Sequence, residues 1–214
     1  MGRRKEFWIL TGVLVAIFIA EWFGAFKGIN DIIYAHTPLV SSSWVVMITD
    51  SASLAAFVVY LILFLAWDFK RCGKLSRLIL NFAISLALGM AVVVVLKALT
   101  EVPRPNEFPL SLPFIQALLN ADYFAFPSGH TARAAILAYF LSRRFPKYAP
   151  IWWIYAVLIA LSRLLLHVHW FSDVLFSLLL GPWTFMLVEL TESFWLPIYS
   201  SIIRKLGLEV FAVE

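Results

Sequence analysis

The chain is poor in cysteine and in charged residues, and both shortages limit what it can be. Cys72 is the single cysteine among 214 residues, so no disulfide within the chain contributes to its fold. Charged residues make up only 14% of the sequence, whereas hydrophobic residues make up 62%. A soluble domain has about 45 to 50% apolar residues. The composition therefore excludes an ordinary soluble protein and predicts an integral membrane protein.

The formal net charge of +4 does not indicate a nucleic acid as partner. The basic residues cluster in short loops between apolar segments, which is a pattern typical of membrane topology. The sequence also contains no internal repeat and no low-complexity tract. We therefore expect one membrane-embedded domain over residues 1–214, with the lipid bilayer as its surroundings.

Apolar segments predict an all-α bundle of six transmembrane helices. The first segment follows Arg3, Arg4 and Lys5, is longer than the apolar part of a signal peptide and is not followed by a clear cleavage site. We therefore expect it to be retained as a helix. The six segments, numbered 1 to 6 in order, are Phe7–Phe26, Val45–Trp67, Leu78–Leu99, Thr131–Leu141, Ile151–Val168 and Val174–Leu196.

The distribution of Lys and Arg predicts the orientation of this bundle. Alternate loops and the two termini hold 12 of the 17 basic residues, and such an excess marks the cytoplasmic side. The other five are Lys27, Lys97, Arg104, Arg133 and Arg163. We therefore expect both termini in the cytoplasm, in a cell membrane, with the connections between segments 1 and 2, 3 and 4, and 5 and 6 on the outer face.

Three polar motifs fall at that outer face. Lys97 lies at the end of segment 3, with Arg104 and Pro105 following it. The motif Pro127-Ser128-Gly129-His130 begins segment 4, and Ser162–Asp173 covers the turn from segment 5 to segment 6. An arginine inside a segment this apolar costs on the order of 3 kcal/mol, so Arg163 is expected to face a partner or a wet cavity.

Each of these residues also has a purely structural interpretation. In that interpretation Lys97, near a helix end, only extends its ammonium group to the membrane interface by snorkelling, and Arg104 is an ordinary cation of a loop. The Ser128 hydroxyl is expected to cap the helix of segment 4 in part, and a lone histidine is more often structural. Taken together, however, the three motifs place an excess of hydrogen-bond donors on one face, which predicts a site for an anion such as phosphate.

The three motifs together resemble the signature of the type 2 phosphatidic acid phosphatase superfamily. The matching residues run from segment 3 to segment 6, and the six-helix count is similar to that of the membrane-embedded branch. The resemblance implies a metal-independent lipid phosphatase without a cofactor. It implies that His169 is the nucleophile that forms a phosphohistidine, that Asp173 binds its other ring nitrogen, and that His130 is the general acid. It also implies a phosphate-binding set formed by Lys97, Arg104, Ser128, Gly129 and Arg163.

Helical geometry adds a constraint on the third motif. On an ideal helix, Arg163 and His169 point about 120° apart, so they cannot share one face. Segment 5 should therefore end near His167, and the chain should turn back over residues 168–172 so that His169 meets Arg163. Asp173 should then lie close to the start of the last helix.

Several interpretations stay open at this stage. His167 and His169 form a His-x-His pair, which is compatible with a metal site as well as with a metal-free one. Arg133 either extends the phosphate-binding set towards a second phosphate or pairs with an acid such as Glu101 or Glu21. The apolar loop 106–126 either guides a lipid or anchors the bundle at the membrane surface.

The leading functional hypothesis is an outward-facing phosphatase of a lipid phosphate. Its substrate would be a polyprenyl pyrophosphate, phosphatidate or phosphatidylglycerol phosphate. A lipid phosphotransferase with the same site is the first alternative, and a vanadate haloperoxidase is disfavoured because those members of the family are large and soluble. The remaining alternative is a transporter or structural membrane protein without catalysis.

Overall fold

The computed structural model describes residues 2–213, apart from the side chain of Cys72. This part of the chain is helical and contains no strand, only two isolated bridges, Leu75 with Val213 and Pro103 with Phe124. The expected all-α class is therefore confirmed. The helices are α1 (Gly2–Trp22), α2 (Lys27–His36), α3 (Ser43–Asp50), α4 (Leu54–Cys72), α5 (Arg77–Thr100), α6 (Phe114–Leu119), α7 (Gly129–Arg144), α8 (Ala149–Leu165), α9 (Phe171–Leu190) and α10 (Glu192–Lys205).

Among the described residues, three helical stretches are long and apolar enough to cross a membrane: Arg77–Thr100, Pro146–Leu165 and Phe171–Leu190. The number rises to five if two bent helix pairs each count as one span. These pairs are α1 with α2, bent by 85°, and α3 with α4, bent by 51°. The helix of segment 4, α7, has only 16 residues, so the count of six spans stays a prediction.

Three predicted segments differ from the helices in the structure. Segment 2 is not one helix, because it is divided into α3 and α4 between Asp50 and Leu54, where the Ser53 hydroxyl accepts from the Ala56 N–H at 3.2 Å and caps α4. Segment 1 does not continue to Phe26, because α1 ends at Trp22 and Gly24 adopts a φ of 70°, which lets the chain turn into α2. Segment 6 does not continue to Leu196, because α9 ends at Leu190 and α10 begins after Thr191. The Thr191 hydroxyl donates to the Leu187 carbonyl at 2.7 Å, which satisfies an acceptor in the last turn of α9.

The central helix is α7, which packs against α5, α8 and α9. Small residues on α7 allow this close approach, and Ala132, Ala134, Ala135 and Ala138 are fully buried. On α9, a Cβ atom added at Gly181 would lie only 2.5 Å from the Cβ of Ala135. The backbones of α7 and α9 therefore meet at a point where no side chain larger than hydrogen fits.

The outer helices hold this centre in place. α1 packs against α9, where Phe7 stacks on Trp183 with ring centroids 5.8 Å apart and Trp183 Nε1 donates to the Thr11 hydroxyl at 2.9 Å. α3 packs against α8. The connection from α5 to α7 contains α6, and its large apolar side chains Phe108, Ile115 and Leu119 are exposed.

Candidate active site

The first motif lies where α5 ends. Lys97 is buried in the last turn of α5, and its ammonium donates to the carbonyl of Phe124. Glu101 ends the helix in a left-handed conformation, with a φ of 47°, so that the chain turns towards Arg104. The Arg104 guanidinium donates to the carbonyl of Asp122. Both cations are therefore held by backbone carbonyls of the same loop, before α7.

The second motif begins α7. The chain enters it through Ala125, whose N–H donates to the Val102 carbonyl at 2.8 Å. Ser128 directly precedes the helix and is fully buried, but its side chain makes no capping hydrogen bond. Its hydroxyl oxygen instead accepts from the Thr131 hydroxyl at 3.1 Å. The expectation that Ser128 caps α7 is therefore wrong, and its own O–H remains available as a donor.

The third motif forms the turn predicted from helical geometry. α8 ends at Leu165, His167 adopts a left-handed φ of 52°, and α9 begins at Phe171. The Arg163 guanidinium remains in α8 and donates to the Thr49 hydroxyl at 2.8 Å. The predicted end of segment 5 near His167 is confirmed, and so is the position of Asp173 close to the start of the helix of segment 6, which is α9.

His169 and Asp173 form a buried pair. The distance from His169 Nδ1 to Asp173 Oδ2 is 3.1 Å, and the same oxygen accepts from the Trp170 N–H at 2.8 Å. Asp173 lies in the first turn of α9, where a carboxylate is favourable. With the carboxylate as acceptor, Nδ1 carries the hydrogen and Nε2 keeps a free lone pair.

Two hydrogen bonds connect the three motifs. The Ser128 N–H donates to the Asp173 carbonyl at 3.3 Å, which joins the second motif to the third. Trp170 Nε1 donates to the Pro103 carbonyl at 2.7 Å, which joins the third to the loop of Arg104. The three motifs, distant in sequence, are therefore joined at one place in the structure.

A cavity of about 240 Å³, here called the site cavity, lies between these motifs. Leu54, Met90, Val93 and Val94 form its apolar wall and Asp122 contributes one carboxylate. Ser128 and Asp173 are not in the cavity wall themselves but each adjoins a residue that is: Ser128 directly precedes Gly129, and Asp173 contacts His169. The predicted site residues in the wall are Lys97, Arg104, Gly129, His130, Arg163 and His169.

Two donors at this cavity have no hydrogen-bond partner. Among the described residues, the buried Nε atoms of Arg104 and Arg163 make no hydrogen bond. A buried N–H of a charged group that lacks an acceptor is costly, by about 1 to 3 kcal/mol or more. An anion with several oxygen acceptors, such as phosphate, would satisfy both guanidinium groups at once.

The electrostatic surroundings keep the His169 ring neutral. Burial lowers the pKa of His169 well below its usual 6.5, and the positive charges of Arg163, Lys97 and Arg104 lower it further. A neutral imidazole has the free lone pair that a nucleophile needs. The site therefore favours the neutral ring, which is the form that the predicted nucleophilic role of His169 requires.

The side-chain contacts bear on two hypotheses from the sequence: a metal site at His167 and His169, and an ion pair of Arg133 with an acid. His167 Nε2 lies 2.9 Å from the Thr37 carbonyl, and its ring packs on Tyr34. Within residues 2–213, no group of three or more His, Cys, Asp or Glu side chains is placed to hold a metal ion. Arg133 donates from Nε to the Ala52 carbonyl at 2.8 Å and forms no ion pair with Glu101 or Glu21 in the described part of the chain.

The sequence analysis missed residues that support the site from a distance. Thr49 on α3 holds Arg163. Asn30 on α2 is buried and binds Ser172 twice: its Oδ1 accepts from the Ser172 N–H at 3.1 Å, and its Nδ2 donates to the Ser172 hydroxyl at 2.9 Å. No signal in the sequence pointed to Asn30, which lies beyond segment 1 and has Asp31 beside it. Its contact fixes the first turn of α9, next to Asp173.

Replacing Asn30 with alanine is expected to lower kcat while changing KM little. The substitution releases the start of α9 and the His169–Asp173 pair, whereas the cationic groups predicted to bind phosphate stay in place. A misplacement of about 1 Å costs roughly a hundred-fold in rate. The measurement is steady-state kinetics on a lipid phosphate, with Asp31→Ala, an exposed neighbour on α2, as the control. A rise in KM with unchanged kcat would contradict this positioning role.

Known proteins share both the sequence pattern and the architecture. The pattern that defines the PAP2 superfamily matches residues 78–193. Phosphatidylglycerophosphatase B of Bacillus subtilis is 37% identical over 106 residues, which cover 44% of this chain and 48% of that protein. The chain thus spans about half the length of this curated relative.

Two solved structures have a similar fold. The crystal structure of a transmembrane PAP2 type phosphatidylglycerolphosphate phosphatase from Bacillus subtilis has a TM-score of 0.68 at 25% identity, and the match covers 86% of this chain and 94% of that one. The crystal structure of Aquifex aeolicus LpxE has a TM-score of 0.58 at 22% identity, with 75% and 92% covered. The second likeness concerns the fold alone. With more than half of its sequence matched by the family pattern and the three motifs at one cavity, the chain belongs to the PAP2 superfamily.

Proposed function

We propose that this protein is an integral membrane lipid phosphatase with a single domain over residues 1–214. It hydrolyses the phosphate monoester or pyrophosphate of a lipid through a phosphohistidine intermediate, and no metal or other cofactor takes part. One observation carries the proposal: a histidine backed by a carboxylate shares a small cavity with guanidinium groups whose Nε atoms lack an acceptor.

The first chemical step follows from the positions of the two cavity histidines. His169 Nε2 attacks the phosphorus atom, and the bond between phosphorus and the leaving oxygen breaks. His130, at the start of α7, donates its proton to that oxygen. Asp173 stabilises the positive charge that develops on the His169 ring. Lys97, Arg104 and Arg163, here called the phosphate cradle, bind the equatorial oxygens with the Gly129 N–H and the Ser128 hydroxyl behind them.

The second step releases phosphate. His130, now neutral, removes a proton from water as it attacks the phosphohistidine, and the bond from phosphorus to His169 Nε2 breaks. The phosphate cradle again stabilises the charge on the equatorial oxygens. Cationic side chains thus occupy the role that Mg²⁺ has in kinases.

Similarity to relatives favours particular lipids. One relative is named phosphatidylglycerophosphatase B, and the solved structure with 25% identity is a phosphatidylglycerolphosphate phosphatase. The apolar wall formed by Leu54, Met90 and Val94 fits a substrate whose phosphate is attached to an apolar body. We therefore place phosphatidylglycerol phosphate beside phosphatidate and polyprenyl pyrophosphate as candidate substrates.

Phosphate release from a defined panel of lipids tests the proposal. The detergent-purified protein is incubated with phosphatidylglycerol phosphate, phosphatidate, lysophosphatidate and a polyprenyl pyrophosphate, with and without EDTA. We expect release of inorganic phosphate that persists in EDTA and is blocked by vanadate. Transfer of the phosphoryl group to another lipid would indicate a phosphotransferase instead, and no phosphate from any lipid would favour a transporter or structural protein.

The low pKa of His169 predicts the acid side of the pH profile. Because its pKa lies well below 6.5, the neutral, attacking form persists as the pH falls through 6.5. We expect kcat/KM, corrected for the ionisation of the substrate phosphate near pH 6, to keep its value down to below pH 6.5. If the corrected kcat/KM instead fell at acid pH with a midpoint at or above pH 6.5, a buried His169 surrounded by cations would not be the nucleophile.

Arg3, Arg77 and Arg143 lie at one end of the bundle and the site lies at the other. Arg3 and Arg143 both pair with Glu189, at 3.4 and 3.2 Å, and Arg77 pairs with Glu192 at 3.3 Å. Lys97 and His130 occupy the opposite ends of the helices that carry Arg77 and Arg143. This polarity supports a cytoplasmic basic end and an outward-facing site.

Cysteine labelling tests the orientation. In a Cys72→Ala background, Lys27→Cys and Lys147→Cys place single thiols at exposed positions on the two predicted sides. A membrane-impermeant maleimide should label intact cells through Lys27→Cys, whereas Lys147→Cys should react only after permeabilisation. The reverse pattern would invert the proposed topology.

A further inference from the structure

Arg133 is a buried cation in the site cavity that the mechanism above does not use. It lies on α7, three residues after His130, so the two side chains emerge on neighbouring parts of one helix face. Its exposed fraction is 9%, yet it belongs to the wall of the same cavity as His169 and Arg163.

The contacts of Arg133 aim its guanidinium at the start of α7. Nε donates to the Ala52 carbonyl at 2.8 Å, and Nη1 lies 3.3 Å from the Met90 sulfur. Nη1 also lies 3.6 Å from the position that a Cβ atom of Gly129 would occupy. The charged group therefore folds back along its own helix towards the first-turn N–H groups, where an anion is favoured.

No carboxylate neutralises this charge. Among the described residues, the ion pairs join Glu189, Glu192 and Asp173 to other partners. Glu101, one of the two acids that the sequence offered, instead accepts from the Leu112 N–H at 2.8 Å. Asp122 acts on Arg133 electrostatically across the cavity but forms no ion pair with it in this part of the chain. A buried charge without a counterion is costly, so the site is incomplete without a further anion.

The neighbourhood of His130 indicates where that anion belongs. His130 is the proposed proton donor to the leaving oxygen, so it marks the leaving-group side of the substrate. Arg133 lies on that side, next to His130, whereas the phosphate cradle holds the group that is transferred. A second negative group would therefore belong to the part of the substrate that departs.

We propose that Arg133 binds a second phosphate, carried by the leaving group of the substrate. This inference rests on the proposed function and narrows its substrate class. Two kinds of lipid have this chemistry. In a prenyl diphosphate the leaving group is itself a phosphate, and in phosphatidylglycerol phosphate a phosphodiester follows one glycerol unit further on.

The chemical step is unchanged and balanced for both kinds of lipid. The bond from His169 Nε2 to the terminal phosphorus forms, and the bond from that phosphorus to the bridging oxygen breaks. The electron pair stays on the bridging oxygen, which takes the proton of His130. Arg133 offsets the negative charge that the departing group already carries, so we expect its contribution to be largest for a leaving group with a phosphate.

Two matched substrate pairs test this role. Farnesyl diphosphate is compared with farnesyl phosphate, and phosphatidylglycerol phosphate with phosphatidate of the same acyl chains. The variants are Arg133→Gln and Arg133→Lys, and the control is Arg143→Gln, the same change on the same helix at the end remote from the cavity. In at least one pair, Arg133→Gln should lower kcat/KM for the two-phosphate lipid by about thirty-fold more than for the one-phosphate lipid, the effect of losing a charge-assisted hydrogen bond. Arg133→Lys should restore part of that ratio.

The substrate pair on which Arg133→Gln lowers kcat/KM identifies the second phosphate. A change confined to the farnesyl pair assigns the second phosphate to a diphosphate, and one confined to the glycerolipid pair assigns it to a phosphodiester. An equal loss on all four lipids would overturn the inference, because Arg133 would then act only by holding Ala52. The same loss in Arg143→Gln would also overturn it.

A binding measurement separates failure of this inference from failure of the proposed function. If the unmodified protein hydrolyses none of the four lipids, the proposed function fails. Calorimetric titration with inorganic pyrophosphate and with phosphate then still tests Arg133. Its replacement by glutamine should weaken binding of pyrophosphate more than binding of phosphate by about ten-fold, and an unchanged ratio would contradict the second-phosphate site.

Discussion

Replacing His169 with alanine is expected to abolish both turnover and the phosphoenzyme. In the structure, Nδ1 of this histidine faces Asp173 and the ring lines the site cavity, so Nε2 is the nucleophilic atom available to a bound phosphate. Without it, water must attack a phosphate whose approach side was occupied by the ring. Loss of a covalent nucleophile costs about a million-fold in kcat in a serine protease, and we expect a loss of that order here.

The measurement combines steady-state phosphate release with trapping of acid-labile phosphoprotein from a radiolabelled lipid. His169→Gln, which keeps more of the buried volume, serves beside His169→Ala in case the smaller side chain impairs folding. Asp173→Asn should lose about ten-thousand-fold by analogy with the serine protease triad, since the amide favours the wrong tautomer. Phosphoenzyme in either His169 variant would show that another residue is the nucleophile.

The candidate site residues could be selected from the sequence because their charges stand out in apolar segments. Lys97 and Arg163 lie in apolar helices where a charge is costly, and the turn at residues 166–170 follows from the angle between Arg163 and His169 on a helix. Both kinds of evidence are local. Chain order and topology alone then place the three motifs on one face of the bundle.

Supporting residues escape such an analysis, since nothing in their own segments is unusual. Asn30 and Thr49 act through contacts with Ser172 and Arg163, residues more than a hundred positions away. Predicting these contacts requires knowing that α1 turns into α2 by 85° and that α3 and α4 meet at 51°. The hydrophobic periodicity of the sequence does not predict these angles, because they depend on packing against α8 and α9.

The central helix α7 was also difficult to recognise from the sequence. α7 is among the shortest of the predicted spans and consists largely of small residues, so apolarity marks it weakly. It is nevertheless packed against α5, α8 and α9, because Ala132, Ala135 and the bare backbone of Gly181 permit contact that longer apolar side chains would prevent. The same packing fixes the start of α7, where Gly129 and His130 enter the site cavity.

His130→Ala is expected to slow hydrolysis by a factor that depends on the leaving group. A lipid alkoxide, such as that released from phosphatidate, is a strong base and needs a proton as its bond to phosphorus breaks. A nitrophenolate departs without one. General acid catalysis contributes about a hundred- to ten-thousand-fold. We therefore expect kcat/KM, which reports the first step, to fall roughly a thousand-fold on phosphatidate and at most about ten-fold on nitrophenyl phosphate.

This difference assigns His130 independently of His169. Removal of the nucleophile should cost the same large factor on both substrates, whereas removal of the acid should not. His36→Ala, which removes an exposed histidine of α2, is the matched control and should leave both rates unchanged. The burst of nitrophenolate should also survive in His130→Ala while phosphate release slows, because the same residue must activate water in the second step. An equal loss of kcat/KM on the alkyl and aryl substrates would mean that His130 binds phosphate rather than transferring a proton, and the phosphate cradle would then have to include it.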